Sequence, residues 1–231
     1  MVEVDRATQR LLETAARLDG DEGVAGPSLL PGWSRGHVLA HVARNADGLT
    51  NLLSWARTGV VTPQYASWEK RNEDIEAGAP RGLEEQIADV RDSAARFAAA
   101  ADLMPAPAWA VTLDIPDARQ PAARVVWRRL REVEIHHVDL NAGYTAADWP
   151  AAFSQRLLHE VIARFATRDD VPALVLHPTD AGSETTLGHS NGAATVSGPV
   201  HAIAAWLIGR SPGEDLAVSP QGPLPTPPAW I

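Results

Sequence analysis

Apolar residues recur at helical spacing through the first three-fifths of the chain. Leu11, Leu12, Ala15 and Leu18 stripe the segment from Asp5 to Leu18 and stop before Gly20, which predicts a first helix. A loop carrying Pro27 and Pro31 follows. A second stripe, Val38, Val42, Leu49, Leu52, Leu53 and Ala56, predicts a long helix with Ser34 as its N-cap and Gly59 at its close. Tyr65 to Ala77 and Leu83 to Ala101 predict two more, the latter marked by Ile87, Val90, Ala94, Phe97 and Ala101. Pro105 and Pro107 interrupt the pattern, Trp109 to Leu113 reads as a short extended piece, and a further helix spans about Ala122 to Leu140, ahead of Gly143.

Beyond Trp149-Pro150 the pattern changes. One more helix reaches about Ala166; then Ala173-Leu174-Val175-Leu176 and Ala194-Thr195-Val196 read as strands separated by Gly, Ser and Asn turns. Pro199 to Ile208 predicts a helix with proline in its first turn and Gly209 just past its end, and the tail from Gly222 to Trp230 is rich in proline. The fold class is therefore α+β: a helical bundle over residues 1–147, then a small α+β domain over residues 148–231. The short junction from Tyr144 to Pro150 is expected to pack the two together around a ligand cleft.

Composition narrows the function. With 231 residues and 45% hydrophobic content the chain can bury a substantial core, and a net charge of -9 without basic patches argues against nucleic acid and anionic membrane surfaces. No apolar run approaches the ~18 residues of a membrane span and the N-terminus lacks the features of a signal peptide, so a cytoplasmic protein is expected. There is no cysteine, which excludes disulfides, thiolate ligands and a cysteine nucleophile; thiol chemistry would need a thiol from outside. Lys70 is the sole lysine, so any buried anion site would be built from arginine.

Glu132 and His136 lie four apart on one predicted helix and project from the same face a turn apart. His41 and Asn45 fall within the apolar stripe of the second long helix and so point into the bundle, where a polar group needs a partner. Two imidazoles and a carboxylate suit zinc with an open coordination position. Rivals stand beside this set: a His37-His41 pair, a Glu134-His137 pair, or a solvated charged face formed by Arg128, Arg129, Arg131 and the neighbouring acids. Glu134, between Arg131 and Val138, is expected on the surface side.

Leu30-Pro31-Gly32-Trp33-Ser34, the run Leu39-Ala40-His41-Val42-Ala43-Arg44-Asn45, the run Arg131 to Leu140, and Gly209-Arg210 together resemble the mycothiol-dependent maleylpyruvate isomerases over nearly the whole chain. The resemblance implies a DinB-like four-helix bundle, zinc held by His41, Glu132 and His136, and no ligand role for His37, Glu134 or His137. It implies a functional arginine at Arg210 and a second candidate for substrate at Arg71, in Arg71-Asn72-Glu73. It also implies the reaction: reversible addition of a zinc-activated mycothiol thiolate to maleylpyruvate, rotation, and release of fumarylpyruvate, as in gentisate-type aromatic degradation. The partners are then a small-molecule substrate and a low-molecular-weight thiol, and the missing cysteine reads as a nucleophile borrowed from that thiol. Asn45 and Asp139 are candidates to orient His41 and His136, against ordinary buried hydrogen bonding. Two other readings remain open: a mycothiol S-transferase acting on another electrophile, and a non-catalytic helical module that binds a metal or ligand. No mycothiol-contacting residue is identified.

Overall fold

The apolar stripes become the inner faces of packed helices. The computed structural model describes residues 1–116, 118–182, 184–188 and 193–230, and the chain divides into two compact units, Met1–Tyr144 and Thr145–Ile231. The first unit contains α1 (Val2–Ala15), a short α2 (Gly20–Ala25), α3 (Arg35–Thr58), α4 (Trp68–Gly78), α5 (Leu83–Asp102), a hairpin of β1 (Thr112–Ile115) and β2 (Ala118–Pro121), and α6 (Arg124–Asp139). Helices α1, α3, α5 and α6 form the four-helix bundle: α3 packs on α5 and α6, and α1 packs on the same two.

Two apolar clusters fill it. Leu11, Val38, Val42, Val90, Val133 and Leu140 meet in one; Leu49, Leu52, Leu53, Phe97, Leu113 and Val125 meet in the other. Each such side chain contributes on the order of 1.5–3 kcal/mol on leaving water, so the stripes dictate which faces turn inward. Ser34 caps α3 as predicted. Its hydroxyl accepts from the His37 amide, and His37 Nδ1 accepts from the Ser34 amide, a capping box with an imidazole where Glu or Gln is usual. Gly59 closes α3 at φ 74°, a left-handed conformation that glycine adopts without penalty. The extended piece expected at Trp109 to Leu113 is split: a 3₁₀ turn takes Ala106–Ala110 and the strand starts at Thr112.

The second unit holds α7 (Ala151–Phe165), β3 (Leu174–Pro178), β4 (Thr185–Leu187), β5 (Ala194–Gly198), α8 (Val200–Leu207) and β6 (Ala217–Ser219). The strands order as β4-β3-β5-β6, with β3 and β5 parallel and Leu176 opposite Val196. Helix α8 covers β3 and β5 and packs on α7. The predicted strands are β3 and β5; β4 and β6, three residues each, are too short for a periodic signal. The Ser190-Asn191 part of the expected turn lies outside the described residues. Helix α8 starts after Pro199 and ends in a Schellman turn: the Gly209 amide bonds Trp206 O and the Arg210 amide bonds Ala205 O, with Gly209 at φ 72°. Among the described residues no helix is long and apolar enough to cross a membrane.

Candidate metal centre

Helices α3 and α6 face each other inside the bundle and bring His41 against Glu132 and His136. His41 Nε2 lies 3.1 Å from Glu132 Oε2 and 2.9 Å from His136 Nε2, and His136 Nε2 lies 3.4 Å from Glu132 Oε2. The three ligand atoms converge from two helices, and His41 is only 5% exposed. The set singled out in the sequence is thus brought together. The charged-face alternative fails at Arg129, which is fully buried and donates Nη1 to Val42 O and Asn45 Oδ1.

What surrounds each imidazole differs. Asp139 Oδ2 accepts from His136 Nδ1 at 2.8 Å, which fixes the ring and leaves Nε2 facing Glu132 and His41. On the other ring, Arg71 Nη2 reaches His41 Nδ1 at 2.9 Å. The Arg71 guanidinium lies 5.8 Å from the ring centres of both Tyr65 and Trp68. Trp33 of the Leu-Pro-Gly-Trp-Ser loop sits 5.7 Å from His41 and stacks on His37.

Burial and neighbours set the charges. Burial lowers His41 to about 4, reinforced by the nearby His136, so this ring is neutral at ordinary pH. For His136 burial is the largest single effect and acts downward, but the bonds to Asp139 and Glu132 outweigh it and the group is raised. Burial opposes ionisation of Glu132 too, yet bonds from His136 and His41 hold it well below the usual carboxylate range. The carboxylate is therefore ionised between two rings. Two imidazole nitrogens and one anionic oxygen within 3.4 Å, with His136 already oriented by a carboxylate, fit zinc in number and chemistry.

The other candidates lie elsewhere. His37 bonds Ser34 and Glu76 Oε2 and does not join the centre. Glu134 is not on the surface: at 1% exposed it accepts from Arg10 Nη2 and from the Tyr144 hydroxyl, both at 2.6 Å. The cause is that α6 packs on α1 as well as on α3, so two of its faces are buried. His137 bonds Thr14 Oγ1 at 2.8 Å and stacks on Tyr144. Asn45 serves Arg129 rather than His41, because its carbonyl oxygen accepts from that guanidinium. In the second unit, Arg210 donates Nη1 to Ile208 O at 3.0 Å, on the exit of α8. Tyr65, a neighbour of Arg71, was expected as the first residue of a helix running to Ala77, but that helix starts at Trp68, capped by Ser67, and Tyr65 lies in the preceding loop against Gly48, whose missing side chain makes room for it.

The fold and site together define a class: a four-helix bundle that gathers two histidines and a glutamate at its centre, joined to a small α+β unit. Residues 4–141 match the mycothiol maleylpyruvate isomerase N-terminal domain and residues 148–229 match the MDMPI C-terminal domain. The chain belongs to the mycothiol maleylpyruvate isomerase family, a family of enzymes. It is similar to the crystal structure of a mycothiol-dependent maleylpyruvate isomerase, with 31% identity, a TM-score of 0.92, and coverage of 99% of this chain and 95% of that one. A histidine-to-alanine mutant of a mycothiol-dependent maleylpyruvate isomerase is similar to the same extent, at 30% identity and a TM-score of 0.92 over the same shares. No protein of curated function matches the chain.

Proposed function

We propose that this enzyme converts maleylpyruvate to fumarylpyruvate with mycothiol as thiol cofactor and zinc at His41, Glu132 and His136. The observation that carries the reading is the convergence of these three side chains in a chain that has no cysteine of its own. When bound, zinc would lower the pKa of the thiol of mycothiol and so supply a thiolate nucleophile for reversible addition at the cis double bond.

The protein's own groups do the rest. His41 Nε2, His136 Nε2 and Glu132 Oε2 would hold the cation, and Asp139, bonded to His136 Nδ1, keeps the Nε2 of that ring turned toward Glu132 and His41. Glu132 being ionised, the set carries one negative charge against the two positive charges of the ion, and the site retains the net positive charge that favours a thiolate. Arg71, half-exposed beside His41, is assigned to a substrate carboxylate or the developing enolate. Arg210 is assigned the same kind of role on its match to the family motif.

The test is incubation with maleylpyruvate, zinc and mycothiol while following fumarylpyruvate and free thiol. Product with mycothiol unconsumed supports the proposal; stoichiometric loss of thiol indicates an S-transferase, and no turnover sinks both. Arg210→Ala is expected to retain zinc and lose turnover by about two orders of magnitude or more, the scale of a lost charge-stabilising group. Normal turnover in that variant removes Arg210 from the mechanism.

A further inference from the structure

We infer that Arg71 is a positioning residue with two stations, His41 Nδ1 and a substrate carboxylate, and that metal loading moves it from the first to the second. The inference rests on the reading of His41, Glu132 and His136 as metal ligands.

Donor chemistry carries it. A guanidinium offers only N–H donors and keeps its charge in proteins. Arg71 Nη2 stands 2.9 Å from His41 Nδ1, so that nitrogen presents a lone pair and the one proton of the neutral ring sits on Nε2. Nε2 is also the atom that faces Glu132 Oε2 and His136 Nε2. Ligation through Nε2 needs the lone pair there, which sends the ring proton to Nδ1. Nδ1–H would then point at Arg71 Nη2–H, donor against donor. One neutral imidazole cannot serve a cation at Nε2 and a guanidinium at Nδ1. The ring's charge is unchanged in the exchange: one proton leaves Nε2 and one arrives on Nδ1.

The second histidine is arranged the opposite way. The partner of His136 Nδ1 is Asp139 Oδ2, an acceptor, and that bond persists when Nε2 binds a metal. Only His41 must give up a contact. Arg71 is anchored near its present place by Asn72 Oδ1, 2.9 Å from Nη1, and by the flanking rings of Tyr65 and Trp68. Once displaced it remains at the rim of the centre with a free pair of donors beside a cation, a setting that favours a carboxylate. Metal binding and dicarboxylate binding are thereby coupled, and the coupling is reciprocal.

The experiment measures zinc affinity by chelator competition in the full-length protein and in Arg71→Ala and Arg71→Met, with maleate as the dicarboxylate probe. Both variants are expected to bind zinc about tenfold more tightly, the scale of one charged hydrogen bond no longer broken. Zinc is expected to strengthen maleate binding less in the variants than in the parent. Nitrogen-15 spectra of the histidines give a direct readout, with His41 Nδ1 unprotonated before zinc and protonated after. If one zinc binds the parent and both variants equally, or if Nδ1 is protonated in both states, the inference is overturned and the ligand assignment stands. If Nδ1 stays unprotonated with zinc bound, the proton is still on Nε2, His41 is not a ligand, and both fall. If the parent binds no zinc, both fall.

Discussion

At the scale of single residues, the two imidazoles of the centre differ in what a falling pH does to them. His136 is raised above 6.5 by Asp139 and Glu132 in spite of burial, so its proton competes with a metal, whereas His41, lowered to about 4, has no proton to lose at neutral pH. Zinc affinity is therefore expected to weaken as pH falls through the raised value of His136, about tenfold per pH unit, in chelator competition across that range. For the metal-free protein the His41 shift has the opposite linkage to that of His136. The unfolded chain protonates His41 below 6.5 and the folded one resists until about 4, so this ring's contribution is present above 6.5 and lost as pH falls. The contribution of His136 is present below 6.5 and lost as pH rises through its raised value. Asp139→Ala removes the acceptor that orients His136 and is expected to weaken zinc binding by roughly 10- to 100-fold, with Asp139→Asn milder because its amide oxygen still accepts.

At the scale of elements, α3 was legible and α6 only half so. The α3 stripe and its Ser34 and Gly59 ends follow from one buried face with ordinary stop signals, and both terminal features are observed. Helix α6 buries two faces, one toward α3 and one toward α1, and a single-stripe reading assigns the second to solvent, where Glu134 was expected; Arg129 lies on the α3 face, where its charge is buried against Val42 O and Asn45 Oδ1. The facing of Glu132 and His136 needed only their i, i+4 spacing, but the choice of His41 as their partner over His37 depends on how α3 and α6 dock, which no local pattern encodes. Segment 64–65 is positioned by an absence: a Cβ on Gly48 would come 2.8 Å from Tyr65 Cε1 and 2.9 Å from Gln64 O. Gly48→Val is expected to push this segment off α3, costing about 1–3 kcal/mol in urea unfolding and lowering turnover while zinc binding is kept. Loss of zinc together with turnover would mean that the segment supports the ligands directly.

At the scale of the whole molecule, a second polar cluster ties the bundle together away from the candidate metal centre. Glu134 receives Arg10 of α1 and the hydroxyl of Tyr144, so helix α1, helix α6 and the last residue of the first unit meet on one carboxylate. Burial raises Glu134 above its ordinary 4.5 against the pull of Tyr144 and Arg10. A raised carboxylate contributes less as pH rises through its folded value, because the folded state must then give up a proton it holds more tightly than the unfolded chain does. Arg10→Ala is expected to destabilise the protein by about 1–3 kcal/mol, and by more at neutral pH than near 4.5, in denaturant titrations at the two pH values. Equal loss at both would show that Arg10 acts through packing. The α+β organisation was visible in the sequence from the change of periodicity after Trp149, while the polar cluster was not, since it joins residues 10, 134 and 144.

The indole of Trp33, set against both His37 and His41, has an optical consequence. An imidazolium quenches indole emission more strongly than a neutral ring does, so the protonation of His41 at acid pH is written into the fluorescence of one native side chain. Subtracting the spectrum of Trp33→Phe from that of the parent isolates this signal from the other seven tryptophans. The protein carries an unlabelled reporter beside the candidate centre, fast enough to follow a pH jump in a stopped-flow mixer.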